Sequence, residues 1–326
     1  MTKVGWGLIG TARINRSIID ALRQSARGEL RAVASRRAET AAAYASEWNI
    51  PSAVSPYEAL LEREDVDAVY IGLPNSLHVE WSVRALNAGK HVLCEKPLAL
   101  APEGVDEISQ AAERNGRVAA EGFMYRHHPL TRAVIDVVGQ GTLGPIRLIK
   151  GAFSFMLVGR DPDIRTDPSL GGGSLWDVGC YPASYACLLQ QAAPREVVGW
   201  QAAAPNGIDL TFAAMMRFDS GVLAQFDCGF QSPYRAEMEI VGADAVLRVD
   251  VPFKAGPESR LRLVRGTAES LLPFAAEPPY LGEVEDFHAA VLDGTPHPLS
   301  LGESRRTARV LTCLYASASS NLVVRL

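Results

Sequence analysis

A reactive cation follows an apolar strand at residues 90–97, whose sequence is KHVLCEKP. Because a proline disfavours helical backbone angles in the residue before it, Pro97 is expected to hold Lys96 in an extended or turn geometry. The ammonium group then lies at the carboxyl end of a strand, which is the edge of an open α/β sheet where ligands bind. Lys96 is therefore a candidate to act on a bound ligand, and the alternative is an ion-pair lysine at the surface.

A second group of candidates follows the glycine run at residues 171–173. Asp177 and Tyr181 come four residues apart in a predicted helix, and that spacing places two side chains on one helix face. The alternatives are an ordinary helix N-cap for Asp177 and a core aromatic with a satisfied hydroxyl for Tyr181.

A third candidate element is LPNSLH at residues 73–78. It follows a predicted strand, so Pro74, Asn75 and His78 are expected at the ligand edge of the sheet. On its own, His78 is more typical of a helix start.

A nucleotide-binding turn is predicted between the first strand and the first helix. The pattern G-x-G-x-x-G matches Gly5, Gly7 and Gly10, but the first two glycines fall inside the predicted strand. We therefore place the phosphate turn at residues 10–15, where Ala12 replaces the usual second glycine and the amides of the helix N-terminus would hold a pyrophosphate. A merely structural glycine turn is the alternative, and the βαβ context favours binding. The predicted contacts here are Gly10, Thr11, Ala12, Arg13 and Ile14.

The residues after the second strand bear on the choice of cofactor. An NAD site places a carboxylate about 20 residues beyond the glycine turn, against the ribose hydroxyls. This chain has Ser35, Arg36 and Arg37 there and no acid. Arginine grips phosphate in a forked geometry, so these residues favour the 2′-phosphate of NADP over NAD. The alternative is a pair of solvated arginines at the start of a surface helix.

The first 122 residues alternate short β-branched runs with amphipathic segments, which predicts βαβ units and a Rossmann-type, doubly wound parallel sheet. The predicted strands are Val4 to Ile9, Leu30 to Ser35, Ala68 to Leu73, His91 to Cys94 and Arg117 to Glu121. The predicted helices are Arg13 to Ser25, Ala38 to Trp48, Ser76 to Ala88 and Pro102 to Asn115.

Residues 123–326 have a different pattern, which predicts a second α/β domain with a large, open, mostly antiparallel sheet. Its predicted strands are Ile146 to Phe155, Glu196 to Ala203, Leu210 to Phe218, Val222 to Phe230, Glu237 to Val241 and Ala245 to Val249. A helix at Thr131 to Val138 precedes them, and helices at Val178 to Gln190, Leu281 to Leu292 and Glu303 to Ser319 are expected to cover one face. The uncovered face is then a candidate dimer interface.

The composition excludes several classes of protein. A chain of 326 residues exceeds what one core usually fills, which agrees with two domains. The net charge is −5 with scattered Lys and Arg, so we expect no nucleic-acid partner. No apolar run approaches the ~20 residues of a membrane helix and the start lacks a signal-peptide layout, so we expect no membrane partner and a soluble, cytoplasmic protein.

The cysteine and histidine patterns predict no metal site. The five cysteines are odd in number, widely spaced and without a C-x-x-C pair, which indicates buried small hydrophobes. The adjacent His127 and His128 should point two ways, and no H-E-x-x-H pattern accompanies them. Glu283, Glu285 and Asp286 are more typical of a helix N-terminus than of a catalytic carboxylate pair. The cysteines are Cys94, Cys180, Cys187, Cys228 and Cys313.

Four separated motifs, in their order and at their intervals, resemble the Gfo/Idh/MocA oxidoreductase family. They are the turn at residues 10–14, L-P-N-x-x-H at 73–78, E-K-P at 95–97 and D-x-x-x-Y at 177–181. The resemblance covers essentially the whole chain, and it is closest to the branch that holds NADP-dependent D-xylose 1-dehydrogenases, dimeric dihydrodiol dehydrogenases and keto-sugar reductases. It implies a dinucleotide domain joined to an open-sheet α/β domain, and a homodimer or higher homo-oligomer.

The resemblance also implies roles for the candidate residues. Many members have histidine where this chain has Tyr181, so their Asp-x-x-x-His proton relay does not carry over unchanged. In the resembling branch, a tyrosine here acts as the acid/base with the motif lysine. A free tyrosine titrates near ~10 and a neighbouring ammonium lowers its pKa, so Lys96 would make proton exchange with a substrate hydroxyl feasible near neutrality. Asp177 would fix a second hydroxyl or the cofactor ribose.

Further contacts follow from the same resemblance. Arg126, Phe155 and Arg165 correspond to positions that line the substrate cleft in the resembling enzymes. The cofactor contacts expected outside the phosphate turn and the arginine pair are Leu73, Pro74, Asn75, His78, Glu95, Lys96, Arg126 and Trp176.

We therefore expect an NADP-dependent oxidoreductase that transfers a hydride between nicotinamide and a hydroxyl or carbonyl carbon of a sugar or related polyol. Reduction of a keto-sugar or dicarbonyl with NADPH is an alternative, because the cofactor ratio sets the direction. An alternative of another class is a non-catalytic NADP-binding sensor, since a fold alone does not guarantee activity. The presence of both Lys96 and Tyr181 argues against the sensor.

Overall fold

The computed structural model of the chain describes residues 3–157 and 163–326. It divides into two compact units. The first contains residues 1–127 and 280–305, and the second contains residues 128–279 and 306–326. The units thus differ from a simple division after residue 122, because the segment 280–305 packs with the N-terminal half.

Six strands of the described chain form the sheet of the first unit. They are β1 (Val4–Ile9), β2 (Gly28–Ala34), β3 (Ser52–Val54), β4 (Ala68–Ile71), β5 (His91–Glu95) and β6 (Ala119–Gly122). Their order is β3-β2-β1-β4-β5-β6, and every pairing is parallel. The predicted doubly wound sheet is confirmed. Its strand order reverses between β1 and β4, and ligands bind outside the carboxyl ends of the strands at such a switch point.

The helices of this half are α1 (Asn15–Gln24), α2 (Ala38–Trp48), α3 (Glu58–Leu61), α4 (His78–Asn87) and α5 (Pro102–Asn115). Helices α2 and α5 have the predicted bounds, because each is followed by a residue that tolerates left-handed backbone angles, Asn49 and Gly116. The short elements β3 and α3 were not predicted, since three or four residues carry no readable periodicity.

Nine strands in the described part of the second unit form the other sheet. They are β7 (Ile146–Met156), β8 (Glu196–Ala203), β9 (Asp209–Arg217), β10 (Leu223–Gly229), β11 (Gln231–Gly242), β12 (Val246–Asp250), β13 (Arg260–Arg265), β14 (Ala268–Leu272) and β15 (Val324–Arg325). Their order is β14-β13-β12-β11-β7-β10-β9-β8-β15. Among the strand pairs of the described residues in this sheet, only β7–β10 is parallel, so the predicted mostly antiparallel sheet is confirmed.

One face of this sheet is buried and the other is exposed. In β9, Phe212, Ala214 and Met216 are buried while the intervening Ala213 and Met215 are exposed. The further helices of the chain are α6 (Pro129–Gly139), α7 (Cys180–Gln190), α8 (Leu281–Asp293) and α9 (Leu301–Ser320). Helix α7 packs on β7, and α9 contacts β8 through a hydrogen bond from the Gly199 amide to the Ser317 hydroxyl, 3.1 Å.

The prediction that α8 covers the antiparallel sheet is wrong. Helix α8 belongs to the first unit, where it packs on α1 and β1. The indole nitrogen of Trp6, in β1, donates to His288 Nε2 at 2.9 Å, and the Trp6 ring packs on Phe287 with centroids 5.0 Å apart. Its apolar face was readable from the sequence, but helical periodicity does not indicate which sheet a helix covers. Nowhere in residues 3–157 and 163–326 is a helix long and apolar enough to cross a lipid bilayer.

Candidate active site

The phosphate turn lies where it was predicted, directly after β1. Gly10 has φ +93°, and a side chain there would meet Leu73 at 2.8 Å, so only glycine suits this position. Asn15, the first residue of α1, donates from Nδ2 to the Gly10 carbonyl at 2.8 Å and closes the turn. Gly5 and Gly7 lie inside β1 as expected, where added side chains would collide with Asp65 and Leu60.

A tyrosine of α2 also supports this turn. The Tyr44 hydroxyl donates to the Ala12 carbonyl at 3.2 Å. Burial raises the pKa of Tyr44 to about 12, so the hydroxyl keeps its proton and remains a donor. Thr11, Ala12 and Ile14 are half-buried and Arg13 is exposed.

The serine and two arginines after β2 are at the same carboxyl edge. Ser35 is buried, whereas Arg36 and Arg37 are exposed immediately before α2. Arg36 lies beside the hydroxyl of Tyr57; burial raises the pKa of Tyr57, and the nearby guanidinium opposes that rise. The Tyr57 ring packs edge-on against Trp81 with centroids 4.9 Å apart, so Arg36 has a rigid neighbour.

Lys96 follows β5 directly and is half-buried at the start of a bend, in line with the predicted geometry. The peptide bond to Pro97 is cis. His78 lies at the start of α4, where its Nδ1 is 2.8 Å from the Pro97 carbonyl and its Nε2 is 2.8 Å from the Leu73 carbonyl. On the other side, the carboxylate of Glu121 accepts the Leu98 amide at 2.9 Å. The loop that carries Lys96 is thus tied to its neighbours on both sides.

A buried cluster of acids and phenols lies behind this loop. The Tyr70 hydroxyl donates to Glu95, the residue before Lys96. Glu283, in the first turn of α8, has no exposed surface, and within the described residues neither of its carboxyl oxygens has a hydrogen-bond partner. Burial, followed by the neighbouring Glu95, raises the pKa of Glu283 well above its usual range. Glu283 is therefore at a helix N-terminus as predicted, but as a buried neutral acid.

In the second unit, the glycine run leads into a π-helical turn at Leu175–Gly179, and α7 follows. The predicted α-helical turn between Asp177 and Tyr181 is corrected here: Asp177 belongs to the π-turn and Tyr181 is the second residue of α7. Asp177 accepts Arg165 Nε at 2.8 Å, and this ion pair raises the pKa of Arg165. Such π-turns are rare and frequently occur at functional sites.

Tyr181 is in an aromatic environment. Its ring centroid lies 5.3 Å from that of Phe153 and 5.4 Å from that of Phe253, and the side chain is almost fully buried. The ring is therefore packed between two other aromatic side chains of the same unit.

The remaining candidates have the following positions. In the first unit, Arg126 is buried, and its Nη2 donates to Glu303 at 2.8 Å and to the Pro298 carbonyl at 3.2 Å. In the second unit, Phe155 is half-buried against Phe230 at 5.3 Å, and Trp176 is buried against Tyr315 at 5.4 Å. Leu73, Pro74 and Asn75 follow β4 at the carboxyl edge.

The two adjacent histidines bind different partners. His127 Nδ1 is 2.8 Å from Asp286, whereas His128 Nε2 is 3.0 Å from the Glu277 carbonyl. Four of the five cysteines are buried and Cys313 is half-buried, which agrees with the prediction that they are small hydrophobic residues of the interior.

Several supporting residues were not predicted. Asn15 stood in the predicted turn without a role, and an asparagine next to a glycine turn is a usable signal for a side chain that closes it. Tyr44, Tyr57 and Asp209 gave no local signal, because each reaches its partner from a different element.

Taken together, the doubly wound sheet, its glycine turn and the exposed arginines define a dinucleotide-binding oxidoreductase. Residues 4–123 match a family model described as an oxidoreductase family with an NAD-binding Rossmann fold, and residues 131–248 match the GFO/IDH/MocA C-terminal domain. The chain therefore belongs to the Gfo/Idh/MocA family and is an NAD(P)-dependent oxidoreductase.

Full-length relatives agree with this membership. The chain is 37% identical to an uncharacterized oxidoreductase, ORF334, of Rhizobium meliloti over 98% of both chains. It is 35% identical to D-xylose 1-dehydrogenase (NADP(+)) 2 of Haloferax volcanii, over 98% of this chain and 99% of that one. The crystal structure of KijD10, a 3-ketoreductase from Actinomadura kijaniata in complex with NADP and TDP-benzene, superposes with a TM-score of 0.91 at 31% identity, over 97% of this chain and 98% of that chain.

Proposed function

We propose that this protein is an NADP-dependent oxidoreductase that transfers a hydride between nicotinamide and a hydroxyl or carbonyl carbon of a sugar or related polyol. The observation that carries the proposal is the arrangement of Gly10, Arg36 and Lys96, which follow β1, β2 and β5 at the carboxyl edge of one parallel sheet. A phosphate turn, a 2′-phosphate clamp and a cation are needed together by an enzyme that acts beside a bound NADP.

The residues present fit NADP. Gly10 leaves no side chain to block a pyrophosphate, and the N-terminus of α1 presents amides to it. Arg36 and Arg37 are exposed, and residues 35–37, directly after β2, include no carboxylate to favour a free ribose hydroxyl. When bound, the nicotinamide accepts or donates a hydride at the substrate carbon.

The chain's own residues would handle the proton and the substrate. Tyr181 takes the proton of the substrate hydroxyl in oxidation and returns one to the carbonyl oxygen in reduction. For Lys96 we propose an electrostatic role, in which its ammonium would stabilise negative charge on the reacting oxygen. Asp177, held by Arg165, accepts a hydrogen bond from a second substrate hydroxyl or from the cofactor ribose. A substrate with neighbouring hydroxyls is the one that such a set recognises.

The relatives support a sugar-like substrate and leave the direction open. One is named as a D-xylose 1-dehydrogenase and another as a 3-ketoreductase, so hydride transfer is named as an oxidation in one relative and as a reduction in the other. We propose oxidation of an aldose or diol, with reduction of a keto-sugar or dicarbonyl by NADPH as the alternative.

The Tyr181→Phe variant tests the proposal. The substrate is first identified by NADPH absorbance with a panel of aldoses, keto-sugars and diketones. The variant should lower kcat at least about a hundredfold while the Kd for NADPH is unchanged, because only proton transfer is removed. Tyr234→Phe, at an exposed tyrosine of the same unit, is the control and should keep the wild-type rate.

Two outcomes would contradict the proposal. Equal turnover by Tyr181→Phe and wild type would remove the acid/base role. Tight NADPH binding without turnover of any substrate in the panel would favour a non-catalytic sensor.

We also propose that the exposed face of the nine-stranded sheet binds a second copy of the chain. Trp200 and Met215 are 54% and 40% exposed there, beside an open groove of about 700 Å³. The groove is also lined by Lys150, Glu239 and Arg248, which pair with one another at 2.8 and 3.0 Å. A face with apolar residues and both charge signs suits pairing with itself across a twofold axis.

A further inference from the structure

A buried carboxylate at the start of β9 binds three donors. Asp209 is 1% exposed, and its Oδ2 accepts the Ser174 hydroxyl at 2.7 Å and the Leu175 amide at 2.8 Å. Its Oδ1 accepts the hydroxyl of Tyr315, in α9, at 2.6 Å. All four residues belong to the second unit. Asp209 lies outside the sequence motifs, which therefore assign it no role.

Asp209 replaces the local cap that the π-turn lacks. The residue before the turn, Ser174, makes no side-chain capping bond to the backbone, so the first amides of the turn need other acceptors. Asp209 provides one for Leu175 from 34 residues away in sequence. Because Asp209 lies on β9, it fixes the start of the turn relative to the sheet. A capping residue next to the turn in sequence would not do so.

The backbone is shaped to admit this carboxylate. Gly173 has φ +121°, and a side chain there would lie 2.3 Å from Asp209 Oδ1 and 2.6 Å from the Tyr315 hydroxyl. A glycine is therefore required at residue 173 by the hydrogen bond between Asp209 and Tyr315, in addition to its backbone angle.

The anchored turn carries Asp177 and leads directly into the helix that carries Tyr181. The Asp177 amide donates to the Gly173 carbonyl at 3.0 Å. A single hydrogen bond thus connects Asp177 to Gly173, which lies against Asp209. Trp176 packs on Tyr315, and the turn continues directly into α7, where Tyr181 is the second residue. A displacement at Ser174 and Leu175 would move the whole segment.

We infer that Asp209, together with Tyr315, is a positioning residue that sets the π-turn and thereby the placement of Asp177 and Tyr181. The inference rests on the proposed use of these two side chains. Neither Asp209 nor Tyr315 needs to touch the substrate, and the effect is transmitted through the backbone of Ser174 and Leu175.

Two substitutions at Asp209 test the inference. Asp209→Leu removes every acceptor and keeps the branching of the side chain at Cγ, and it should lower kcat by about tenfold to a hundredfold, because displacements near 1 Å have such effects. Asp209→Asn retains one oxygen for Ser174 and Leu175, and its rate should remain within about threefold of wild type. The Kd for NADPH should not change in either variant.

Ser317→Ala is the matched control. Ser317 is buried in the same helix as Tyr315 and bonds Gly199 and Leu322, but it does not bond the π-turn. This variant should lower the unfolding midpoint and leave kcat unchanged. If Ser317→Ala lowers kcat as much as Asp209→Leu does, general weakening of the unit explains the loss and the inference is wrong.

Two further variants keep the test decisive. If Asp209→Leu does not fold, Tyr315→Phe removes one donor and keeps the ring, and it should lower kcat about two- to fivefold. In a Tyr181→Phe background, Asp209→Leu should lower the residual rate by less than it does alone, because both changes act on one segment. Wild-type kcat in Asp209→Leu or in Tyr315→Phe, alongside an impaired Tyr181→Phe, would overturn the inference and leave the proposed function standing.

Discussion

Arg36 and Arg37 are the residues to which we assign the preference for NADP over NAD. We expect the double variant Arg36→Ala/Arg37→Ala to weaken NADPH binding about tenfold or more while NADH binding changes little, because charge-assisted bonds to the 2′-phosphate are lost. Fluorescence titration of both nucleotides measures the two Kd values.

Arg114→Ala is the control for this loss of positive charge. Arg114 is exposed in the last turn of α5, and helices of a parallel sheet end away from the carboxyl edge. This variant should bind both nucleotides like wild type. An unchanged ratio of the two Kd values in the double variant would place the 2′-phosphate elsewhere.

His78 shows how a motif residue can serve the site indirectly. Its ring has no exposed surface and both nitrogens face carbonyl oxygens, those of Leu73 and Pro97. Burial lowers the pKa of His78. His78 therefore connects the loops after β4 and β5, and it supports the loop that carries Lys96. Its predicted contact with the cofactor stays a prediction.

Helix α8 makes the stability of the first unit depend on pH. Trp6 donates to His288 Nε2, which must therefore stay unprotonated, and Ser25 lies 3.1 Å from Nδ1. Burial lowers the pKa of His288 from 6.5 to about 4. Because the unfolded chain binds the proton more readily, this stabilisation is complete above pH 6.5 and is lost as the pH falls towards 4, by up to about 3 kcal/mol.

We therefore expect His288→Gln to reduce the acid sensitivity of the unfolding midpoint. Its side-chain oxygen can accept from Trp6 and does not titrate, so the drop in midpoint between pH 7 and pH 5 should be smaller than in wild type. Other histidines contribute, since burial also lowers the pKa of His91 and of His297 to about 4. A drop in His288→Gln as large as in wild type would contradict the assignment.

The π-turn is the element of the second unit that carries Asp177. Its extra residue per turn changes the angle between Asp177 and Tyr181 from the one expected in an α-helix. Asp209 accepts a hydrogen bond from Leu175, the first residue of the turn, and Arg165 pairs with Asp177, its middle residue. The spacing of four residues predicts that Asp177 and Tyr181 share one α-helical face, but the structure places Asp177 in a π-turn and Tyr181 in the helix after it.

Self-association is the expectation at the scale of the whole molecule. If the exposed sheet face is the interface, Trp200→Glu/Met215→Glu should convert a particle with the mass of two chains into one with the mass of a single chain, because buried like charges would face each other across the axis. Light scattering after size exclusion measures the mass.

Leu322→Glu is the control for an added surface charge, since Leu322 is 66% exposed and does not line the groove. It should leave the mass unchanged. A wild-type protein that elutes as a single chain at all concentrations, or a double variant that still forms dimers, would show that this face is not the interface.

The local chemistry of the chain is enough to predict its elements and motifs. The β-branched runs, the residues after α2 and α5, and the glycine turn before α1 each depend on neighbours within a few residues. For that reason the parallel sheet, the open sheet and the positions of Gly10, Lys96 and Arg36 could be predicted.

Contacts between distant segments required the tertiary structure. The assignment of α8 to the first unit, the brace that His78 forms and the anchoring of the π-turn by Asp209 all join residues whose separation along the chain carries no periodic signal. Apolar periodicity states that a face is buried but not what covers it, and a hydrogen-bond partner from another strand is decided only when the strands pack.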